Sequence, residues 1–279
     1  MKQYLELARK VIEEGYYEQN RTGVATTQIF GTQARFDLTD NKIAAVTTKK
    51  IHHKSVIHEL LWMIAGDTNV KYLQENGVRI WNEWADADGE LGPVYGAQWR
   101  KWTTFKKKGM GHHKIVVDQL ADVIQKLRAA PQDRRIILSA WNVGDLPDMN
   151  LPPCHMMFQV DSEPASEEGG KRKLRLQMYQ RSVDVFLGLP FNLEFYSILA
   201  HMLAHITNHE AVELIHVGGN VHIYENHMKQ IKTQIKRKPK ASATLTLNPD
   251  IKEIDDFTFD DITIEGYTSH AALTGKVAV

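Results

Sequence analysis

The sequence predicts an α+β domain, and three observations carry that reading. Strand-like and helix-like runs follow one another without the regular βαβ alternation of a doubly wound sheet. One stretch, "LEFYSILAHMLAHITN" at 193–208, is apolar almost all round, which places a central helix in the middle of the domain. "KLRLQMYQR" at 173–181 sets Leu174, Leu176 and Met178 against Arg175, Gln177 and Tyr179, a strand with one oily and one polar face.

Taken in order, Tyr4, Leu5, Ala8, Val11 and Ile12 recur at helical spacing and stop at Gly15, an opening helix. "TTQIFGTQARFDL" at 26–38 reads as a strand. In "KSVIHELLWMIAG" at 54–66, Ile57, Leu60, Leu61 and Ile64 share one side of a second helix. "KWTTFKKKGMGHHK" at 101–114 reads as a loop, and "IVVDQLADVIQKLRAAP" at 115–131 as a third helix ending at Pro131. "RRIILSAW" at 134–141 and "HMMFQVD" at 155–161 are strand-like, and "DSEPASEEGGKRK" at 161–173 is a hairpin excursion. The central helix follows Pro190. After it come a strand "VELIHV" at 212–217, a short helix "ENHMKQIKTQIKR" at 225–237, and closing strands in "ATLTLNP" and "FTFDDITIEGY". No repeat or linker interrupts the chain, so residues 1–279 read as a single domain.

Lys plus Arg and Asp plus Glu both total 34, so anion recognition must be local rather than global. One cysteine cannot form an intramolecular disulfide, and the amphipathic N-terminus lacks a signal-peptide core, which predicts a cytoplasmic protein. No apolar run approaches the roughly 20 residues that cross a bilayer, so no membrane association is expected.

Cys154, in "MNLPPCHMMF", is either a small core residue or a nucleophile, and its type alone favours packing. Pro152-Pro153 stiffen its approach, and nearby arginines would stabilise a thiolate if they converge. "QRSVDVFLGLPFN" offers an Arg181-Ser182 pair suited to phosphate, with Asp184 and Asn192 set among apolar residues; turn-capping is the other reading of that last pair. Arg134-Arg135 and Arg21 are weak signals alone and together suggest phosphate binding. His222 and Tyr224 alternate onto one side of a short strand and could hydrogen-bond a sugar hydroxyl, or be satisfied core residues. His201, His205 and His209 lack the company of cysteine or an HExxH pattern, and neither a P-loop nor GxGxxG occurs, so neither a metal nor a Gly-rich nucleotide cradle is indicated.

Several motifs stand in a specific joint order: "NRTG" at 20–23, "TTKK" at 47–50, "HELLW" at 58–62, "IWNEWAD" at 80–86, "LGPVYG" at 91–96, "RRIILSAWN" at 134–142, "LPPCH" at 151–155, "QRSVDVFLGLPFN" at 180–192 and "HIYENH" at 222–227. In that order the chain resembles the thymidylate synthase family over nearly its whole length. The resemblance implies a methyltransferase that reductively methylates dUMP to dTMP, with 5,10-methylenetetrahydrofolate as co-substrate and no metal. It implies a large mixed sheet packed by helices, one sheet face forming the interface of a homodimer.

The resemblance also assigns roles. Cys154 adds to C6 of the uracil ring, and Glu59 and Tyr95 organise proton transfer. Arg21, Arg181 and Ser182 hold the phosphate, joined by Arg134 and Arg135 from the opposite subunit. Asn192 reads the base, where a carboxylate would suit cytosine better. His222 and Tyr224 contact the ribose. Asp184, His52, Trp81 and Ala278 take the folate, with Trp84 adding aromatic surface and the "KVAV" tail closing over it.

Glu194-Phe195 and Asn220 depart from the usual family pattern, and "HMMFQV" is less aromatic than usual. The nearest rival is a pyrimidine nucleotide hydroxymethylase with the same nucleophile and folate, in which water replaces hydride; Trp81 and the tail argue for a dry site. An RNA-binding role for the lysine-rich segments is disfavoured, since no RNA-binding motif accompanies them.

Overall fold

The computed structural model of the chain describes residues 1–278. Helix α1 (Lys2–Glu14) turns Tyr4, Leu5, Leu7, Ala8 and Val11 inward and stops at Gly15. Any larger residue would collide there, because an added Cβ would lie 2.3 Å from the Val11 carbonyl oxygen. Strands β1 (Tyr16–Glu18) and β2 (Thr26–Asp37) follow, then α2 (His53–Ile64), α3 (Lys71–Glu75), α4 (Gly96–Lys101), β3 (Trp102–Lys108) and β4 (Gly111–Val117). The chain continues through α5 (Gln119–Ala129), β5 (Ile137–Ser139), β6 (His155–Glu163), β7 (Arg172–Asp184), α6 (Gly188–Ile206), β8 (His209–Tyr224), α7 (Met228–Gln234), β9 (Thr244–Leu247) and β10 (Ile262–Glu265).

Six strands form one sheet in the order β1-β2-β8-β7-β6-β5. Only β7 and β8 run parallel, so the sheet is mixed. Helices α1 and α6 pack against it. The expected central helix is α6, in which every residue from Leu193 to Ala204 is buried, among them Glu194, Ser197 and His201. Each of these polar side chains has at least one partner, although Glu194 Oε2 has none among the described residues. Ser197 donates to the Glu194 carbonyl at 2.8 Å and accepts from the Ala44 amide, and His201 Nε2 lies 2.8 Å from the Lys42 carbonyl. Pro190 sits in the first turn of α6, where its missing N–H costs no helical bond. A single apolar core joins these layers, which makes the chain one α+β domain.

The structure corrects several boundaries. The supposed loop at 101–114 is the hairpin β3–β4, joined by Gly109-Met110 with Gly109 at φ +62°. The lysines hid it, yet Thr103, Thr104, Phe105, Ile115, Val116 and Val117 are good strand residues around a two-residue turn. The third helix therefore begins at Gln119, where the Asp118 carboxylate accepts from the Ala121 amide at 2.9 Å. Strand β5 covers only Ile137–Ser139, leaving Arg134 and Arg135 in the preceding turn. "VELIHV" and "HIY" are parts of one strand, β8, bridged by Gly218-Gly219. The 161–173 excursion does link two antiparallel strands, β6 and β7.

Candidate active site

The ends of three sheet strands and the start of α6 converge on one cavity of about 590 Å³. Cys154 stands immediately before β6. Gln180, Arg181, Ser182 and Asp184 lie at the end of β7, and His222 and Tyr224 at the end of β8. Parallel pairing sets Asp184 beside His222 and Ser182 beside Asn220. Asn192 enters from the first turns of α6, Glu59 from α2, and Trp81, Trp84 and Tyr95 from the stretch between α3 and α4. Arg21 comes from the loop before β2, whose shape is held by Asn20: its amide donates to the Val24 carbonyl at 2.8 Å, and its oxygen accepts from the Thr22 amide and hydroxyl. Residues Gly275, Val277 and Ala278 of the tail complete the wall.

Cys154 is held by its backbone on both sides. Its amide donates to the Tyr95 hydroxyl oxygen at 2.7 Å, and its carbonyl accepts from the Arg181 amide at 2.8 Å. The Arg181 side chain donates from Nε to the Pro153 carbonyl and from a terminal nitrogen to the Pro152 carbonyl, each at 2.8 Å, with its guanidinium 5.3 Å from the Trp141 ring. Arg181 therefore braces the Pro-Pro approach to the thiol as well as lining the cavity. Burial pushes the Cys154 thiol up, while Arg181, the Ser182 hydroxyl and Arg21 pull it down.

Tyr95 adopts φ +28° and ψ −86°, a conformation that a bulky residue rarely takes. Such strain persists only where surrounding contacts impose it. Here the ring is buried against Trp81 and lies 4.4 Å from the His155 ring. His155, next to the thiol, is buried, and burial lowers its pKa to about 3. Its Nδ1 lies 2.9 Å from the Tyr196 hydroxyl, so it serves as a neutral support.

Glu59 is only 5% exposed and accepts from the Trp81 indole N–H at 2.7 Å. Burial raises its carboxyl to about 7, against the downward pull of that hydrogen bond. Asp184 turns Oδ1 toward the Phe186 and Leu187 amides at 2.9 and 3.1 Å, the capping geometry that its sequence context suggested. His222 Nδ1 lies 2.8 Å from Asn220 Oδ1, so the departure at 220 steadies the imidazole beside it. Glu194, another of the departures, is fully buried with Oε1 2.6 Å from His53 Nδ1.

Cys154, Glu59, Tyr95, Asp184, Asn192, Arg21, Arg181, Ser182, His222, Tyr224, Trp81 and Ala278 all line this one cavity. Three expected residues do not. His52 lies outside it, with Nδ1 2.7 Å from the Ser55 hydroxyl. Arg134 and Arg135 are exposed away from it, the Arg135 side chain 88% so. Gln180 went unnoticed in the sequence although it adjoins Arg181-Ser182; it is buried and bonds Asn192. The tail is docked: the Lys276 carbonyl meets His227 Nε2 at 2.7 Å and accepts from the Asn226 amide, while Gln230 donates to the Thr274 carbonyl.

Among the described residues no group of three or more His, Cys, Asp or Glu could hold a metal ion, and no helix is long and apolar enough to cross a membrane. A sequence model of the family described as thymidylate synthase matches residues 2–279, and the chain belongs to that family.

Proposed function

We propose that the reductive methylation of dUMP to dTMP, the reaction of this family, runs in this cavity with Cys154 as its nucleophile. When bound, 5,10-methylenetetrahydrofolate supplies both the one-carbon unit and the hydride and leaves as dihydrofolate. The observation that carries the assignment is the company of the only cysteine: two carboxyls, two arginines, an asparagine amide and an imidazole–phenol pair share its cavity.

The thiolate adds to C6 of the pyrimidine, and the electron pair moves through C5 to O4, making C5 nucleophilic. Arg21, Arg181 and Ser182 favour the thiolate and take the phosphate. Asn192 offers an amide donor to O4 and an oxygen to N3–H, and His222 and Tyr224 receive the ribose 3′-hydroxyl. Glu59, titrating near neutrality, and Tyr95, kept protonated by burial, relay protons at O4 and C5. The wall of Trp81, Trp84, Leu187 and Phe191 suits a flat reduced folate, and the second carboxylate oxygen of Asp184 would accept from a pterin N–H. The docked tail, with Ala278 on the cavity wall, keeps water from that face.

Arg134 and Arg135 act in trans in this reading, reaching the phosphate of a second copy across a face of the sheet. Their exposure supports it, as do Phe30 on β2, 76% exposed, and Ile137 on β5, 39% exposed. Incubation with 5-fluoro-dUMP and methylenetetrahydrofolate should yield a covalent ternary adduct on the Cys154 peptide, visible by mass spectrometry, and none with Cys154→Ser. An adduct elsewhere, or tetrahydrofolate and 5-hydroxymethyl-dUMP as turnover products, would reject the assignment.

A further inference from the structure

The amide of Asn192 can discriminate uracil from cytosine only if it cannot turn over. With Nδ2 toward O4 and Oδ1 toward N3–H it fits uracil; rotated by 180° it would fit cytosine equally well. Its orientation is set by a chain of hydrogen bonds that runs away from the cavity into the sheet. Asn192 Oδ1 accepts from Gln180 Nε2 at 2.9 Å, and Gln180 Oε1 lies 3.1 Å from His216 Nε2. His216 lies on β8 and Gln180 on β7, the two parallel strands, where Gln180 stands opposite Gly218. A side chain at 218 would crowd the imidazole, since its Cβ would lie 3.3 Å from His216 Cε1.

His216 is completely buried, and burial lowers its pKa to about 4, so the ring is neutral with a single N–H. Nδ1 has no partner among the described residues. A proton on Nδ1 would be a buried donor left unpaired, so the proton sits on Nε2, facing Gln180. Each bond in the chain then has one polarity: His216 N–H to Gln180 oxygen, Gln180 N–H to Asn192 oxygen. Turning Asn192 would set two NH₂ groups against each other, and turning Gln180 to relieve that would set its NH₂ against His216 N–H.

We propose that His216 is a positioning residue for substrate choice, locking Gln180 and through it Asn192 in the orientation that accepts uracil and refuses cytosine. The inference rests on Asn192 as the base-reading amide. Gln180 Nε2 also donates to the Ser182 carbonyl at 3.1 Å, which favours the same orientation, so removing His216 weakens the lock without abolishing it.

The readout is selectivity, which loss of packing alone would leave in place. Dissociation constants for dUMP and dCMP are measured for the full chain, His216→Phe, Gln180→Glu and Asn192→Asp, with thermal midpoints to establish folding. His216→Phe keeps a ring but no N–H, and the dUMP preference should shrink about tenfold, the scale of one lost polar constraint. Gln180→Glu gives Asn192 only acceptors to face, inviting it to turn, and should shrink the preference likewise; it decides the matter if His216→Phe does not fold. Asn192→Asp should favour dCMP. Unchanged selectivity in His216→Phe or Gln180→Glu, with Asn192→Asp reversed, would overturn the role of His216 alone. Unchanged selectivity in Asn192→Asp would overturn the base-reading assignment and this proposal with it.

Discussion

Glu59→Gln separates electrostatics from packing, because the amide keeps the shape and the bond from Trp81 Nε1 but cannot ionise. In the folded chain the carboxyl titrates at about 7, raised from 4.5 chiefly by burial. Between those values the folded state holds a proton that the unfolded state has released. Stability from this group is therefore full below about 4.5, falls as pH rises through the window, and levels off above about 7. At 1.36 kcal/mol per pH unit the loss is about 3 kcal/mol. Urea unfolding of the parent and of Glu59→Gln, at fixed protein concentration from pH 5 to pH 8.5, should show the variant gaining on the parent by roughly that amount at the alkaline end. The gain should level off above neutrality. Turnover should move the other way, falling on the order of 100-fold with loss of a neutral-pH limb in the kcat profile, since a relay has lost its proton. Parallel stability curves for the two proteins would show that Glu59 ionises without penalty, and the argument from its burial would fail.

Gly275→Ala tests tail docking: the new Cβ would lie 2.7 Å from the His227 ring and 2.9 Å from Phe186, so the tail should lift. Single-turnover kinetics should show slower dihydrofolate formation, with covalent binding of 5-fluoro-dUMP to Cys154 retained; an unchanged rate would mean that the tail does not gate the reaction. Subunit mixing tests the trans arginines. Arg135→Ala should be weak and Cys154→Ser inactive, but an equilibrated mixture should recover roughly a quarter of parental activity, because half of randomly paired dimers carry one intact site of two. Size-exclusion chromatography showing only monomers, or no recovery on mixing, would remove the shared site.

Local pattern was enough for the elements whose residues announce their own surroundings. The spacing of Tyr4, Leu5, Ala8 and Val11 and the stop at Gly15 describe α1, and an apolar run too uniform for a surface helix describes the buried α6. Pattern failed where charge concealed strand propensity, as in β3–β4 with its lysines, and where a continuous strand was split by Gly218-Gly219. Glycines there looked like a break, yet a side chain at 219 would meet the Arg181 carbonyl at 2.9 Å, so close backbone approach is the reason for them.

For the site, the sequence by itself supplied the chemical inventory: one thiol, an Arg-Ser pair, a carboxyl within "HELLW", an asparagine shortly after Pro190 and the His-Tyr alternation. Their joint order carried the family. What only the tertiary structure decided is the set of distances and environments. Arg181 is tied to the carbonyls of Pro152 and Pro153, Tyr95 is held in a strained turn to receive the Cys154 amide, and Glu59 sits where burial moves its titration to neutrality. His52, by contrast, stays outside, and Gln180 and His216 become a relay only because β7 and β8 run side by side. Residue types and local periodicity are encoded along the chain, whereas desolvation and hydrogen-bond polarity depend on neighbours that are distant in sequence and meet only when the sheet forms.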